Sequence, residues 1–144
     1  SREVTKKYKN IDSEQYFLSN PLDFSNILMD KRKKQFEKGS KSKNEYFFYD
    51  RGMPDVLAYL NFKKIDYQSS MISDILKFNY DAIFLAEPWK AIYKNDSERY
   101  ESYSELLEID VHIKKIYKQL GYKTIFLPKK SVKDRVNFIL ETLR

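Results

Sequence analysis

The sequence predicts an α/β fold, a three-layer sandwich on a mainly parallel sheet, and three observations lead there. Tyr46 to Tyr49, Ala82 to Ala86 and Lys123 to Leu127 are short runs with continuous apolar stretches, the pattern of strands buried on both faces. Segments of helical period separate them. Asp50, the pair Glu87-Pro88, and Pro128 shut the runs off. Strands that alternate with helices favour a parallel sheet covered on its faces. No internal repeat and no composition break divides the chain, so residues 1–144 read as one domain.

Taken in order, Glu3 to Tyr8 and Ser13 to Leu18 read as short helical pieces. A longer helix is expected from Asn20 to Lys38: Asn20 can cap, Pro21 suits the first position, Asp23 favours the positive end, and Gly39 stops it. Phe24, Ile27 and Leu28, with Phe36 farther along, form its inner stripe. Lys31, Arg32, Lys33 and Lys34 fall toward the carboxyl end, where cations are favoured, and read as a solvated face. After the first strand, Pro54 and Asp55 open a helix to about Leu60, and another runs from Ser69 to Phe78 with Asn79 as its cap. Beyond the second strand, Trp89 to Ser104 lacks a deep apolar period and reads as an exposed loop with a helical turn. Ser104 and Glu105 then start a helix that carries Ile109, Ile113, Ile116 and Leu120 and ends at Gly121. Ser131 with Asp134 caps a last helix, expected to bury Val132, Val136, Ile139 and Leu140.

Composition narrows the chemistry. The chain has no cysteine and one histidine, which removes disulfides, thiolate sites and imidazole metal clusters. Catalysis must rest on carboxylates, lysines and arginines. The net charge of +6 suits an anionic partner, yet the lysines are scattered among acids, and a dedicated nucleic-acid stripe is not favoured. No run approaches the roughly 18 apolar residues of a membrane span and no signal-peptide pattern opens the chain, so a cytoplasmic protein is expected.

Ligands of open parallel sheets lie beyond the carboxyl ends of the strands. Three groups stand there: Asp50 and Arg51, Glu87 to Lys90, and Pro128 to Lys130. A carboxylate at Asp50 can orient a magnesium-bound water or accept a proton, and Arg51 can neutralise charge on a transferred phosphoryl group. In the competing reading, Asp50 caps the next turn and Arg51 pairs with a neighbouring acid.

The stretch Tyr49-Asp50-Arg51-Gly52-Met53-Pro54-Asp55-Val56-Leu57-Ala58-Tyr59 resembles the Asp-Arg-Gly-x-Pro-Asp signature of the predicted-ATPase family of P-loop NTPases. That family is AAA-like and related in fold to small nucleoside and nucleotide kinases. Pro88-Trp89-Lys90-Ala91-Ile92-Tyr93, the segment Asp96 to Arg99, Leu120-Gly121-Tyr122, Leu127-Pro128 and Asp134-Arg135-Val136 continue the likeness in order. The resemblance implies ATP and Mg2+, with Asp50 as the acidic strand-end residue acting on the metal indirectly, and Arg51 on substrate or phosphate. It further implies a lid at 88–104 in which Arg99 and Lys90 close over the nucleotide. Trp89 stacks on a base or packs at the hinge. Asp55 is a helix-start residue that acts through its neighbours. The implied partners are a nucleotide and a phosphoryl acceptor of unspecified class.

One element of that family is absent from the sequence. A P-loop needs Gly-x-x-x-x-Gly-Lys-[Ser/Thr], and Gly39, Gly52 and Gly121 are the chain's only glycines. Gly39-Ser40-Lys41 follows a helix, where the motif joins a strand to one. The expectation is therefore a natural protein that is longer, with two further strands and the P-loop ahead of Arg2-Glu3-Val4. In its intact form it would be an ATPase or kinase-like phosphotransferase. The alternative is a non-catalytic regulatory or nucleic-acid-binding module derived from the same fold.

Overall fold

The computed structural model of the chain describes residues 19–94 and 101–144. The helical pieces expected before Asn20, and Arg99, lie outside them. The chain divides into two compact units, the first ending at Asn79 and the second running from Tyr80 to Arg144.

In the first unit, α1 (Pro21–Ser40) has Pro21 at its start and Asp23 in its first turn. Its buried face is Phe24, Ser25, Leu28, Met29 and Arg32. This corrects the basic run: Lys31 and Lys34 are exposed, but Arg32 turns inward and is only 8% exposed. The four-residue step from Phe24 through Leu28 to Arg32 explains it, because that step keeps residues on one helix face. Gly39 lies inside the last turn and does not end the helix. α2 (Pro54–Phe62) packs on α1 and buries Val56, Leu57, Ala58 and Leu60. It ends in a reverse-turn cap in which Ile65 N–H donates to Leu60 C=O and Lys64 N–H to Asn61 C=O, with Lys64 in the left-handed region at φ 54°. α3 (Ser69–Ile75) is shorter than expected, and Asn79 lies beyond its cap at Leu76.

Tyr46 to Tyr49 does not join the sheet, whose described strands lie elsewhere. Its rings pack against α1 and one another: Tyr49 stacks on Phe36 with centroids 5.9 Å apart, and Phe47 lies 4.9 Å from Tyr49. Phe48 is 59% exposed, so the run is not covered on both faces as a central parallel strand would be.

The second unit is a β-α-β crossover. β1 (Ile83–Leu85) and β2 (Thr124–Phe126) are parallel, with Ile83 opposite Thr124 and Leu85 opposite Phe126, and Leu127 N–H extends the ladder to Leu85 C=O at 2.9 Å. Between them stands α4 (Tyr103–Gln119). Its cap is Ser102, not Ser104: the Ser102 hydroxyl accepts from Glu105 N–H while the Glu105 carboxylate accepts from Ser102 N–H. Gly121, at φ 84°, ends α4 as expected, and Tyr122 N–H reaches back to Tyr117 C=O at 3.0 Å while the two rings meet edge to face. Ile116 and Tyr117 are the buried residues of α4.

α5 (Val132–Leu143) starts at the expected cap, Ser131, which accepts from Asp134 N–H. Its apolar face is not buried as expected: Val132, Val136 and Leu140 are 68%, 47% and 38% exposed. Periodicity fixes which face of a helix is apolar, whereas burial also needs a surface opposite it. Among the described residues no helix is long and apolar enough to cross a membrane.

Candidate functional site

The Asp50-Arg51-Gly52 turn leads into α2, and a set of contacts fixes its shape. Arg51 adopts φ 76°, a left-handed conformation that side chains other than glycine rarely take. Gly52 N–H donates to the Asp55 carboxylate at 2.9 Å, and Arg51 Nη1 meets the other Asp55 oxygen at 3.3 Å. From α1, Arg32 Nη1 donates to Gly52 C=O at 2.7 Å. Gly52 is therefore held at its N–H by Asp55 and at its carbonyl by Arg32. Asp50 and Arg51 remain exposed.

Asp55, with a side chain 11% exposed, thus serves both as an early helix acid and as the acceptor that shapes the turn. Arg51 does pair with a neighbouring acid, as one reading of the sequence allowed. Asp50 does not make the capping bond of that same reading: α2 has no side-chain cap, and the Gly52 N–H of the turn goes to Asp55. Sequence reasoning missed Arg32. Its signal was its place in the series Phe24, Leu28, Arg32, Phe36.

The same unit carries a groove of about 650 Å³ between the first half of α1 and the segment leading into α3. Met29, Asp30, Lys33, Asp66, Tyr67 and Asp74 are among its lining residues. Lys33 reaches Asp74 at 3.1 Å, and Lys77 meets the other Asp74 oxygen at 2.8 Å. The Lys77 bond, then that of Lys33, holds the Asp74 carboxyl below its ordinary range.

In the second unit, Glu87 follows β1 and accepts from Lys114 Nζ of α4 at 2.7 Å, and Lys114 also reaches Asp110 at 2.7 Å. Lys114 draws the Glu87 carboxyl down, with Lys129 adding a smaller pull, and Asp110 first, then Glu87, raises Lys114. Lys114 also lies 5.3 Å from the Phe126 ring centre. Glu87 and Lys129 belong to the strand-end groups expected from the sequence, whereas their α4 partners Lys114 and Asp110 were not anticipated, although the four-residue spacing of that pair signals it. Trp89, half-buried, precedes a single 3-10 turn at Lys90–Ile92, and Lys90 is exposed. Tyr93 donates its hydroxyl to Glu101 C=O at 2.6 Å. Arg99 is outside the described residues.

For ATP and Mg2+, the residues present fit one part of the requirement. A single exposed carboxylate suits a magnesium ion that keeps most of its waters. Among the described residues no group of three or more carboxylates or histidines could enclose a metal, and the glycine-rich cradle is not in the sequence.

A parallel β-α-β unit with charged residues at its strand ends is the repeating element of open α/β folds, which bind ligands beyond those ends. A family described as AAA domain matches residues 1–135, and the chain belongs to that family. It is thus an NTPase-like domain, of a kind that generally binds ATP with Mg2+. No curated protein matches it. No solved structure does either.

Proposed function

We propose that the protein is an ATP-dependent phosphotransferase or ATPase to which this chain supplies the acid and the arginine of the site, and not the phosphate cradle. The observation that supports it is the turn itself. A non-glycine residue in a left-handed conformation costs about 1–2 kcal/mol, and such strain collects at functional sites. Here it displays Asp50, exposed, next to an arginine that stays half-exposed in its ion pair with Asp55.

When bound, Mg2+ would supply charge neutralisation on the phosphates. Asp50 would hold a water on that ion or accept the proton of an attacking hydroxyl. Arg51, released from Asp55, would contact a phosphoryl oxygen, where its planar fork is suited to bind. Lys90 and Arg99 would meet the nucleotide from the 88–104 segment, with Trp89 stacking on the base or packing at the hinge. The groove along α1 offers a surface of small-molecule size to the acceptor.

The test is phosphate release from ATP by the full-length protein with Mg2+. Asp50→Asn should lower turnover by about 100-fold or more with an unchanged far-UV spectrum. Retained turnover would remove Asp50 from the mechanism. A wild-type protein without turnover that binds RNA or DNA with a steep salt dependence would be the non-catalytic module instead.

A further inference from the structure

We propose that Arg32 is a positioning residue, a clamp that holds the Asp50-Arg51-Gly52 turn in its left-handed form from beneath. As a matter of function this rests on the reading above, but its structural part stands apart from it. Arg32 occupies a site where the helix face calls for an apolar side chain, between Leu28 and Phe36 at four-residue steps. Taking a guanidinium out of water is costly, and a well-packed apolar side chain avoids that cost. Leucine or methionine at this position would serve the α1–α2 contact better. What an apolar residue cannot do is donate to Gly52 C=O, the bond that Arg32 makes at 2.7 Å.

That carbonyl belongs to the residue after the strained one. With Arg51 at φ 76°, relaxation to the extended region would swing the following peptide and carry Gly52 N–H away from Asp55. Arg32 and Asp55 grip that region from two elements, α1 and α2. Asp55 can follow the turn because it lies three residues away; Arg32 comes from twenty residues upstream on a long helix and cannot. The clamp therefore couples the conformation of the exposed acid and arginine to the packing of α1 on α2.

Trypsin reads this directly, because the Arg51–Gly52 bond follows an exposed arginine and cleavage requires an extended local chain. In the full-length protein, Arg32→Met should raise the rate of cleavage after Arg51 by tenfold or more, and Arg32→Lys, which keeps a donor, should restore much of the protection. Leu28→Ala, a buried change one turn earlier on α1, controls for general loosening and at matched melting temperature should leave that cleavage slow. In MgATP turnover, Arg32→Met should raise KM and lower kcat together, with Arg32→Lys intermediate. Cleavage in Arg32→Met no faster than in Leu28→Ala at matched stability would overturn the clamp. Fast cleavage in Arg32→Met from a protein whose wild type shows no nucleotide turnover would keep the clamp and overturn the nucleotide reading alone.

Discussion

The ring of Tyr49 lies over Gly39 so closely that a Cβ on Gly39 would come within 2.8 Å of the ring carbon bearing the hydroxyl. That hydroxyl donates to Phe36 C=O at 3.3 Å, and the ring stacks on Phe36. Glycine is thus needed in the last turn of α1 for a neighbour's sake, since the helix itself would prefer alanine.

Gly39→Ala should therefore lower stability by about 1–3 kcal/mol, reversing the gain of about 1 kcal/mol that alanine brings to an open helix position. Urea unfolding measures the sign. Adding Tyr49→Leu should recover most of the loss, a non-additivity expected of residues in contact.

Arg51→Gly removes a side chain from a left-handed position. Stability should hold or rise by up to about 1 kcal/mol, while affinity for MgATP falls by about tenfold or more, as loss of a charge-assisted contact predicts. Calorimetry for the first and fluorescent-nucleotide titration for the second would test the pair of effects. A variant that is less stable and binds normally would contradict both.

Lys64 holds the same kind of backbone at the end of α2, where no site claims it. Lys64→Gly should stabilise the fold by about 0.5–1 kcal/mol, read as a higher urea midpoint with an unchanged slope, and should leave nucleotide binding alone. The contrast with Arg51→Gly separates strain that serves a site from strain that serves a chain reversal.

The Glu87–Lys114 pair gives a pH signature. Lys114 holds the Glu87 carboxyl below its ordinary range, so the pair's stabilisation is complete above the unfolded value of about 4.3 and is lost as pH falls through the lower folded one. Lys114 is raised, so its share persists through neutral pH and fades only as pH climbs through its folded value above about 10.4. The side chains are about one-third exposed, and the effect should not exceed about 1 kcal/mol. The melting-temperature gap between wild type and Lys114→Met should be widest near neutrality and should narrow below about pH 4.

The helices were legible because their signals are local. Pro21 and Pro54 at helix starts, Gly121 at an end and Ser131 with Asp134 at a cap all act within a few residues. Tyr46 to Tyr49 was not, since a four-residue aromatic run looks alike whether neighbouring strands bury it or one helix face receives its rings. The exposed valines of α5 were missed for the related reason that a stripe names a face without naming its cover. At the candidate site, Asp50 and Arg51 were named as residues following a strand, which Tyr46 to Tyr49 does not form, and, with Asp55, by resemblance; the contacts among them and Arg32 could not be read from spacing. Arg32 was hidden because a basic run and an inward four-residue step compete for the same residue, and only the packing of α1 on α2 decides between them.

The parallel pairing of Ile83 with Thr124 has a bearing on how the second unit forms. Its partners stand some forty residues apart in the chain, so the ladder can close only after a large loss of loop entropy. α4, with its reciprocal cap at Ser102 and its reverse turn at Gly121, is built from near neighbours and can order first, shortening that search. Helix before sheet is then the expected sequence of events at refolding, and weakening the Ser102 cap should slow the arrival of the native sheet more than it speeds its loss.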